Sequence, residues 1–183
     1  MTAAVERDGA GQQALLAGDA RAARDAFAQA AELYRQSWEA AHPRAYGRLV
    51  GMLKSAVLAG GGAPEAEYVR GALLDASPDS VTASYACALA ALILEKDDDA
   101  RVWVARMGAG DEAFARAGEA LAGLAARDPD RFAGALEAIV RDFEARAQHL
   151  TGVAIADTAL MLRELGARRG IVTRLESPVL PGS

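Results

Sequence analysis

Apolar residues along this chain recur at steps of three and four, which is the period of an α-helix with one buried face. The clearest stripe consists of Ala23, Phe27, Ala30 or Ala31, Tyr34 and Trp38. β-branched residues are scattered and nowhere alternate with polar residues over the length of a strand. Alanine, leucine, arginine and glutamate, which favour helices, dominate the composition. The pattern therefore predicts an all-α protein.

Helix breakers interrupt this pattern and divide the chain into about nine predicted helices. The breaks fall at Gly18-Asp19, His42-Pro43, Gly60–Pro64, Ser77–Ser80, Lys96–Asp99, Gly108–Asp111, Asp128-Pro129 and Leu150–Gly152. Ser77 and Asp128 each precede a proline that suits the first helical position, and Asp111 lies where the helix dipole favours an acid. These three residues are predicted to begin helices.

The first predicted helical hairpin carries a recognisable signature. Gly11 occupies a position where two helices approach closely, and Gly18-Asp19 forms the turn. The second helix then has small and aromatic residues at intervals of four and three, namely Ala23, Phe27 and Ala30. The stretch from about Arg7 to Arg35 therefore resembles one tetratricopeptide repeat. It departs from that family in having Arg35 where the repeat usually ends in proline.

The rest of the chain repeats the order of helix, turn and helix at unequal intervals. The turns near Gly18, Gly60, Asp97 and Asp128 are not evenly spaced. The resemblance implies antiparallel, tetratricopeptide-like helical hairpins packed side by side in a short array. A compact, irregular helical bundle is the alternative.

Charge and composition narrow the classes of partner. The chain has 183 residues and a net charge of −5, which gives no electrostatic reason to bind nucleic acid. Its only cysteine, Cys87, lies in an apolar run and fits a reducing compartment. The longest apolar run, Tyr85–Leu94, is about half of the ~20 residues that a membrane span requires. We therefore expect a cytoplasmic protein that binds neither nucleic acid nor membrane.

The sequence indicates no enzyme, cofactor or metal site. Gly108–Asp111 resembles a dinucleotide-binding loop but lacks the strands that such a loop requires. The acids of Asp97–Asp99 lack the alternating spacing of a calcium loop, and His42 and His149 lack partners at zinc-binding intervals. Helix turns and caps account for these features.

One group of residues is a candidate contact site. In the helix predicted to run beyond Phe143, Asp142, Arg146 and His149 follow one another at i, i+4 and i+7 beside an apolar stripe. That stripe consists of Phe132, Leu136, Ile139, Val140, Phe143 and Leu150. The row suits a ligand carboxylate or the backbone of a partner. An ordinary ion pair on the helix surface is the alternative.

The C-terminal part combines an apolar helix with an extended tail. From about Val153 to Arg169, apolar residues cover most of the helix circumference. We therefore expect a central helix, or one that is partly covered by a second copy in a homodimer. Past Gly170, β-branched residues and prolines predict an extended tail over 171–183, which leaves 1–170 as a single helical domain.

This C-terminal arrangement also resembles helical immunity proteins of bacterial polymorphic-toxin systems. The resemblance rests on the helix that closes with Arg169-Gly170 and on the tail Ser177–Pro181, in which Val179 and Leu180 are predicted to anchor to the surface. It implies that the protein binds and neutralises a toxin.

Three functions follow from these observations. The repeat-like hairpin favours a non-enzymatic module that binds another protein or a peptide. The alternatives are an immunity protein and a helical protein that binds or converts a small ligand. A concave pocket with convergent polar groups is the feature that would favour the last of these.

Overall fold

A computed structural model of the chain describes residues 1–42, 44–73, 80–108 and 110–181. These residues contain nine α-helices and no strand, so the predicted all-α class is confirmed. The helices are α1 (Thr2–Leu16), α2 (Ala20–Glu39), α3 (Gly47–Leu58), α4 (Ala63–Leu73), α5 (Val81–Ile93), α6 (Asp97–Met107), α7 (Glu112–Ala126), α8 (Pro129–Glu144) and α9 (Asp157–Arg168). Within the described ranges, no helix has both the length and the apolar character that a membrane crossing requires.

Aspartate side chains begin three of the helices. The carboxylates of Asp19, Asp111 and Asp128 each accept a hydrogen bond from the backbone N–H three residues further on. Such caps satisfy N–H groups that have no partner inside the helix. The predicted caps at Asp111 and Asp128 are therefore confirmed, whereas Ser77 lies outside the described residues.

Two aromatic side chains of α2 pack closely against glycines of the neighbouring helices α1 and α3. A Cβ added to Gly11 of α1 would lie 2.8 Å from the Phe27 ring, and a Cβ added to Gly51 of α3 would lie 2.7 Å from the Tyr34 ring. Only glycine leaves room for rings this close to the helix backbone. The close approach predicted at Gly11 is therefore confirmed.

The helices share one hydrophobic core, which extends from Ala4 to Leu180. Every helix packs against the next one along the chain, and α5 lies at the centre in contact with α3, α4, α6 and α7. The last helix, α9, returns to pack against α3, α7 and α8. That return joins the two halves of the chain. The antiparallel direction of the hairpins stays a prediction.

The connection between the last two helices differs from the prediction. The helix expected to continue to Leu150 ends at Glu144, and the helix expected from Val153 begins at Asp157. Leu150, predicted to be buried, is 75 % exposed. Val153 and Ile155 are buried in non-helical chain, which explains their apolar character without a helix.

The apolar side of α9 is covered within one copy of the chain. Ala159, Leu160, Met161, Leu162 and Leu165 are all buried. In the tail, Val179 and Leu180 are also buried, and the Val179 carbonyl accepts a hydrogen bond from the N–H of Ala156 at 2.9 Å. This burial removes the reason for expecting a homodimer, although the oligomeric state itself stays a prediction.

Candidate functional site

A polar cluster interrupts the core where α1, α2 and α3 meet. Asp8 of α1 is buried, and its two carboxylate oxygens accept hydrogen bonds from the hydroxyls of Tyr34 at 2.9 Å and Ser55 at 2.6 Å. Buried polar groups are costly unless they are paired, and these are. The cluster therefore fixes the three helices in one arrangement.

A second polar cluster connects α1 and α3 to the start of α9. Asp157 Oδ2 accepts hydrogen bonds from Lys54 Nζ at 2.5 Å and from the amide of Gln12 at 3.2 Å. The Gln12 side-chain oxygen in turn accepts a hydrogen bond from the Thr151 hydroxyl. Residues from three distant parts of the sequence therefore meet at one place.

Burial and charge set the protonation of these groups. Burial, opposed by Lys54 and by the hydrogen bonds from Ser55 and Tyr34, raises the pKa of Asp8 above its usual range. For Lys54, burial is the largest influence and lowers the pKa, but Asp157 and Asp8 together outweigh it and raise the pKa above the usual value. Lys54 is therefore an ammonium ion at neutral pH.

A cavity of about 170 Å³ adjoins the second cluster. Its polar lining consists of Gln12, Lys54, Arg146, His149, Thr151, Asp157 and Thr158, and its apolar lining of Phe143, Leu150, Val153 and Ile155. Pockets for drug-sized ligands measure roughly 300–1,000 Å³. This cavity therefore suits a ligand of only a few heavy atoms.

His149 contributes its imidazole ring to the lining of this cavity. Its Nδ1 is buried and has no hydrogen-bond partner among the described residues. The imidazole ring stacks on Phe143, with 6.1 Å between the ring centroids and 30° between the planes. The ring therefore forms part of the cavity wall beside Phe143.

Arg146 reaches the cavity from the non-helical chain after α8. Its guanidinium forms an ion pair of 2.6 Å with Asp142 Oδ2 and lies 3.8 Å from the centre of the Phe143 ring. Asp142 is also paired through Oδ1 with Arg116 of α7, again at 2.6 Å. The carboxylate thus lies between two arginines.

The three residues of the predicted contact site are partly brought together. Arg146 and His149 line the cavity of about 170 Å³, whereas Asp142 does not. The predicted helical row is wrong, because α8 ends at Glu144 before it reaches Arg146. The loop after α8 places Arg146 and His149 beside Lys54 instead.

The charges at the cavity favour an anion. Lys54 and Arg146 contribute two cations, and His149 adds an imidazole. Asp157 is the only carboxylate among the residues that line it and is paired with Lys54, so the charge in excess is that of Arg146, which shares Asp142 with Arg116. An ammonium and a guanidinium bind carboxylates through charge-assisted hydrogen bonds. Nowhere in the described ranges do three His, Cys, Asp or Glu side chains gather as a metal would need.

Sequence reasoning missed most of this site. Asp8 and Gln12 are one helical turn apart on α1 and lie on its buried side with Ala4 and Gly11. The only indication of these two residues in the sequence was therefore their position among the small residues of one helix face. For Lys54 and Asp157 there was no local signal, because their pairing depends on how α9 returns to α3.

No family model, curated protein or solved structure matches the chain. The resemblances to a tetratricopeptide repeat and to immunity proteins therefore stay predictions.

Proposed function

We propose that this protein binds a small carboxylate in the cavity formed by α1, α3, the loop after α8 and the start of α9. The observation that carries the proposal is the lining of this cavity by two cationic side chains, Lys54 and Arg146, together with the imidazole of His149. A ligand carboxylate would accept hydrogen bonds from these cationic side chains. This is the small-ligand alternative that the sequence left open.

The side chains of the cavity support binding rather than catalysis. Lys54, with its raised pKa, is an ammonium ion and therefore a poor nucleophile. Ser55 does not line the cavity, and its hydroxyl donates to Asp8. Burial raises the pKa of the Cys87 thiol to about 11, and this side chain is not part of the cavity.

Titration with acetate and propionate, followed by the backbone amide signals in NMR, tests the proposal. We expect saturable shifts for the amides around Lys54, His149 and Asp157. His149→Phe keeps a ring beside Phe143 but removes both polar nitrogens of the imidazole, so it is expected to weaken binding roughly 5- to 10-fold.

His42→Phe is the matched control. His42 is exposed and does not line this cavity, so its replacement should leave the affinity unchanged. If neither acid shifts the amides at this cavity up to near-molar concentration, the proposal is wrong.

A protein-interaction module is the second candidate. A groove of about 470 Å³ lies where the end of α3 meets α9 and the turn between α1 and α2, and its lining includes Leu15, Val57, Leu58 and Leu160. Such grooves accept a partner helix or peptide. The close packing of Gly11 against Phe27 also agrees with the predicted resemblance of this hairpin to a tetratricopeptide repeat.

Affinity capture from the native host with mass spectrometry tests this second candidate. Leu58→Asp places a charge in the groove and should abolish capture of a specific partner. Val102→Asp places the same charge on α6, at a residue that is already exposed, and should not. Equal capture by both variants would remove the groove from consideration.

A further inference from the structure

A second chamber, of about 140 Å³, lies on the other side of Arg146. Its lining is mainly apolar and aromatic and comprises Tyr85, Ala113, Phe114, Ala117, Ile139 and Phe143, together with Arg116, Asp142, Arg146 and Thr158. Tyr85 and Phe114 already form an edge-to-face pair with 5.8 Å between their centroids. The chamber therefore suits a flat apolar group.

The size of this chamber matches a single aromatic ring. An apolar cavity of about 150 Å³ in a protein core accommodates benzene. Rings at centroid distances of about 4.5–7 Å gain favourable edge-to-face or offset contacts beyond the burial of area. Tyr85, Phe114 and Phe143 offer such contacts from three different helices.

The two chambers share the side chains of Phe143, Arg146 and Thr158. Arg146 is the most exposed of the three, at 38 %, and it follows the end of α8. If it turns away from Asp142, that carboxylate keeps its ion pair of 2.6 Å with Arg116. Arg146 can therefore change partner without leaving a carboxylate unpaired.

We infer that the ligand is an arylalkyl carboxylate, which occupies both chambers when Arg146 exchanges Asp142 for the ligand's carboxylate. This inference rests on the proposed function and adds the class of ligand. The carboxylate lies with Lys54 and His149, and the aromatic ring lies in the second chamber against the pair formed by Tyr85 and Phe114. No covalent step is involved.

Calorimetric titration with phenylacetate, beside the NMR titration with acetate, tests the inference. Burial of the ring should make phenylacetate bind about ten- to a hundredfold more tightly than acetate. Ala113→Leu fills the second chamber from an exposed position of α7, so it should remove this gain and leave the affinity for acetate unchanged.

Ala115→Leu is the matched control on the same helix. Ala115 is also exposed but lines a cleft between α6, α7 and α8 instead, so its replacement should preserve the gain. Circular dichroism establishes that both variants are folded. Intermolecular nuclear Overhauser effects from the phenyl protons to Tyr85 and Phe114 provide an independent readout in the unmodified chain.

The outcomes separate the two proposals. If neither acid binds, the proposed carboxylate site is wrong and this inference falls with it. The carboxylate site stands if acetate binds the unmodified chain and His149→Phe weakens that binding. The inference is nevertheless overturned if phenylacetate binds no more tightly than acetate. It is also overturned if phenylacetate still binds more tightly than acetate in Ala113→Leu. Overhauser contacts to Tyr85 and Phe114 that disappear in Ala113→Leu would support it.

Discussion

Lys54 Nζ lies 2.5 Å from Asp157 Oδ2, although 103 residues separate the two in sequence. The side chains are only 16 % and 12 % exposed, so water screens the pair weakly. The contact joins α3 to the first turn of α9, where the helix dipole also favours a carboxylate. It holds the C-terminal part of the chain against the first half and forms one wall of the candidate site.

Lys54→Met is expected to destabilise the fold by about 3 kcal/mol, because it leaves the Asp157 carboxylate largely buried without its cation. Chemical unfolding in urea measures this loss. The double variant Lys54→Met/Asp157→Asn carries no charge at this position and should recover part of the stability. If the double variant is as unstable as the single one, the loss of stability comes mainly from the lost packing of Lys54 and not from the unpaired Asp157 carboxylate.

Gly11→Ala should destabilise the protein, since the added Cβ would lie 2.8 Å from the Phe27 ring, and the ring is itself buried. Overpacking of this kind costs about 1–3 kcal/mol. Gly134→Ala is the matched control, because its Cβ would meet nothing within 4 Å and Gly134 lies inside α8. There alanine should stabilise the helix by roughly 0.5–1 kcal/mol. Thermal unfolding that moves both variants in the same direction would contradict the close packing of α1 and α2.

Local signals explain why the helices could be predicted from the sequence. The stripe of α2 is buried from Ala23 to Tyr34, and Asp111 and Asp128 begin α7 and α8. These features depend on residues within a few positions of one another. Periodicity and capping chemistry are sufficient to recognise them.

The region between α8 and α9 could not be predicted in the same way. Val153 and Ile155 satisfy a helical pattern equally well, yet they are buried in non-helical chain just before α9. Tertiary burial, including the hydrogen bond from Ala156 to Val179, outweighs local preference there. This loop supplies Arg146 and His149. Prediction of the site therefore depended on the part of the chain where local sequence preferences are weakest.

Phe27→Ala and Phe132→Ala are each expected to lower the free energy of unfolding by about 3–5 kcal/mol. Both rings are fully buried, and a Cβ added to Gly166 of α9 would lie 3.0 Å from the Phe132 ring. Denaturant unfolding of each variant tests this. A loss below about 1 kcal/mol for either would be incompatible with a fully buried ring.

Stability should depend on pH through Asp8. Burial raises the pKa of Asp8 in the folded chain above its ordinary value of 3.8. Between these two pKa values the folded state holds more protons than the unfolded state, so this carboxyl lowers stability as the pH rises. Asp8→Asn does not titrate. The free energy of unfolding of the variant minus that of the unmodified chain should therefore be larger at pH 7 than at pH 4.

Urea unfolding between pH 4 and pH 7 measures this difference for Asp8→Asn. Asp25→Asn removes the same charge from an exposed position of α2 and serves as the control. A difference between Asp8→Asn and the unmodified chain that does not change with pH would mean that the buried carboxyl does not titrate differently in the two states.

Arg146→Ala separates a binding role from a structural one. Asp142 keeps Arg116 when Arg146 is lost, and the Arg146 side chain is 38 % exposed, so the ion pair should contribute only about 0–1 kcal/mol to stability. The contact with the Phe143 ring adds about 0.5–1 kcal/mol. Binding of acetate, in contrast, should weaken clearly, because the ligand loses a guanidinium.

Arg141→Ala provides the comparison for Arg146→Ala. Arg141 is paired with Glu137 one helical turn earlier, as Arg146 is with Asp142, but it lies on exposed α8 surface and does not line the cavity. Its loss should leave acetate binding intact. Calorimetry and thermal unfolding of the two variants give affinity and stability separately. Normal acetate binding by Arg146→Ala together with a clearly lowered midpoint would make Arg146 a structural residue, and it would leave Lys54 and His149 as the side chains that hold the carboxylate.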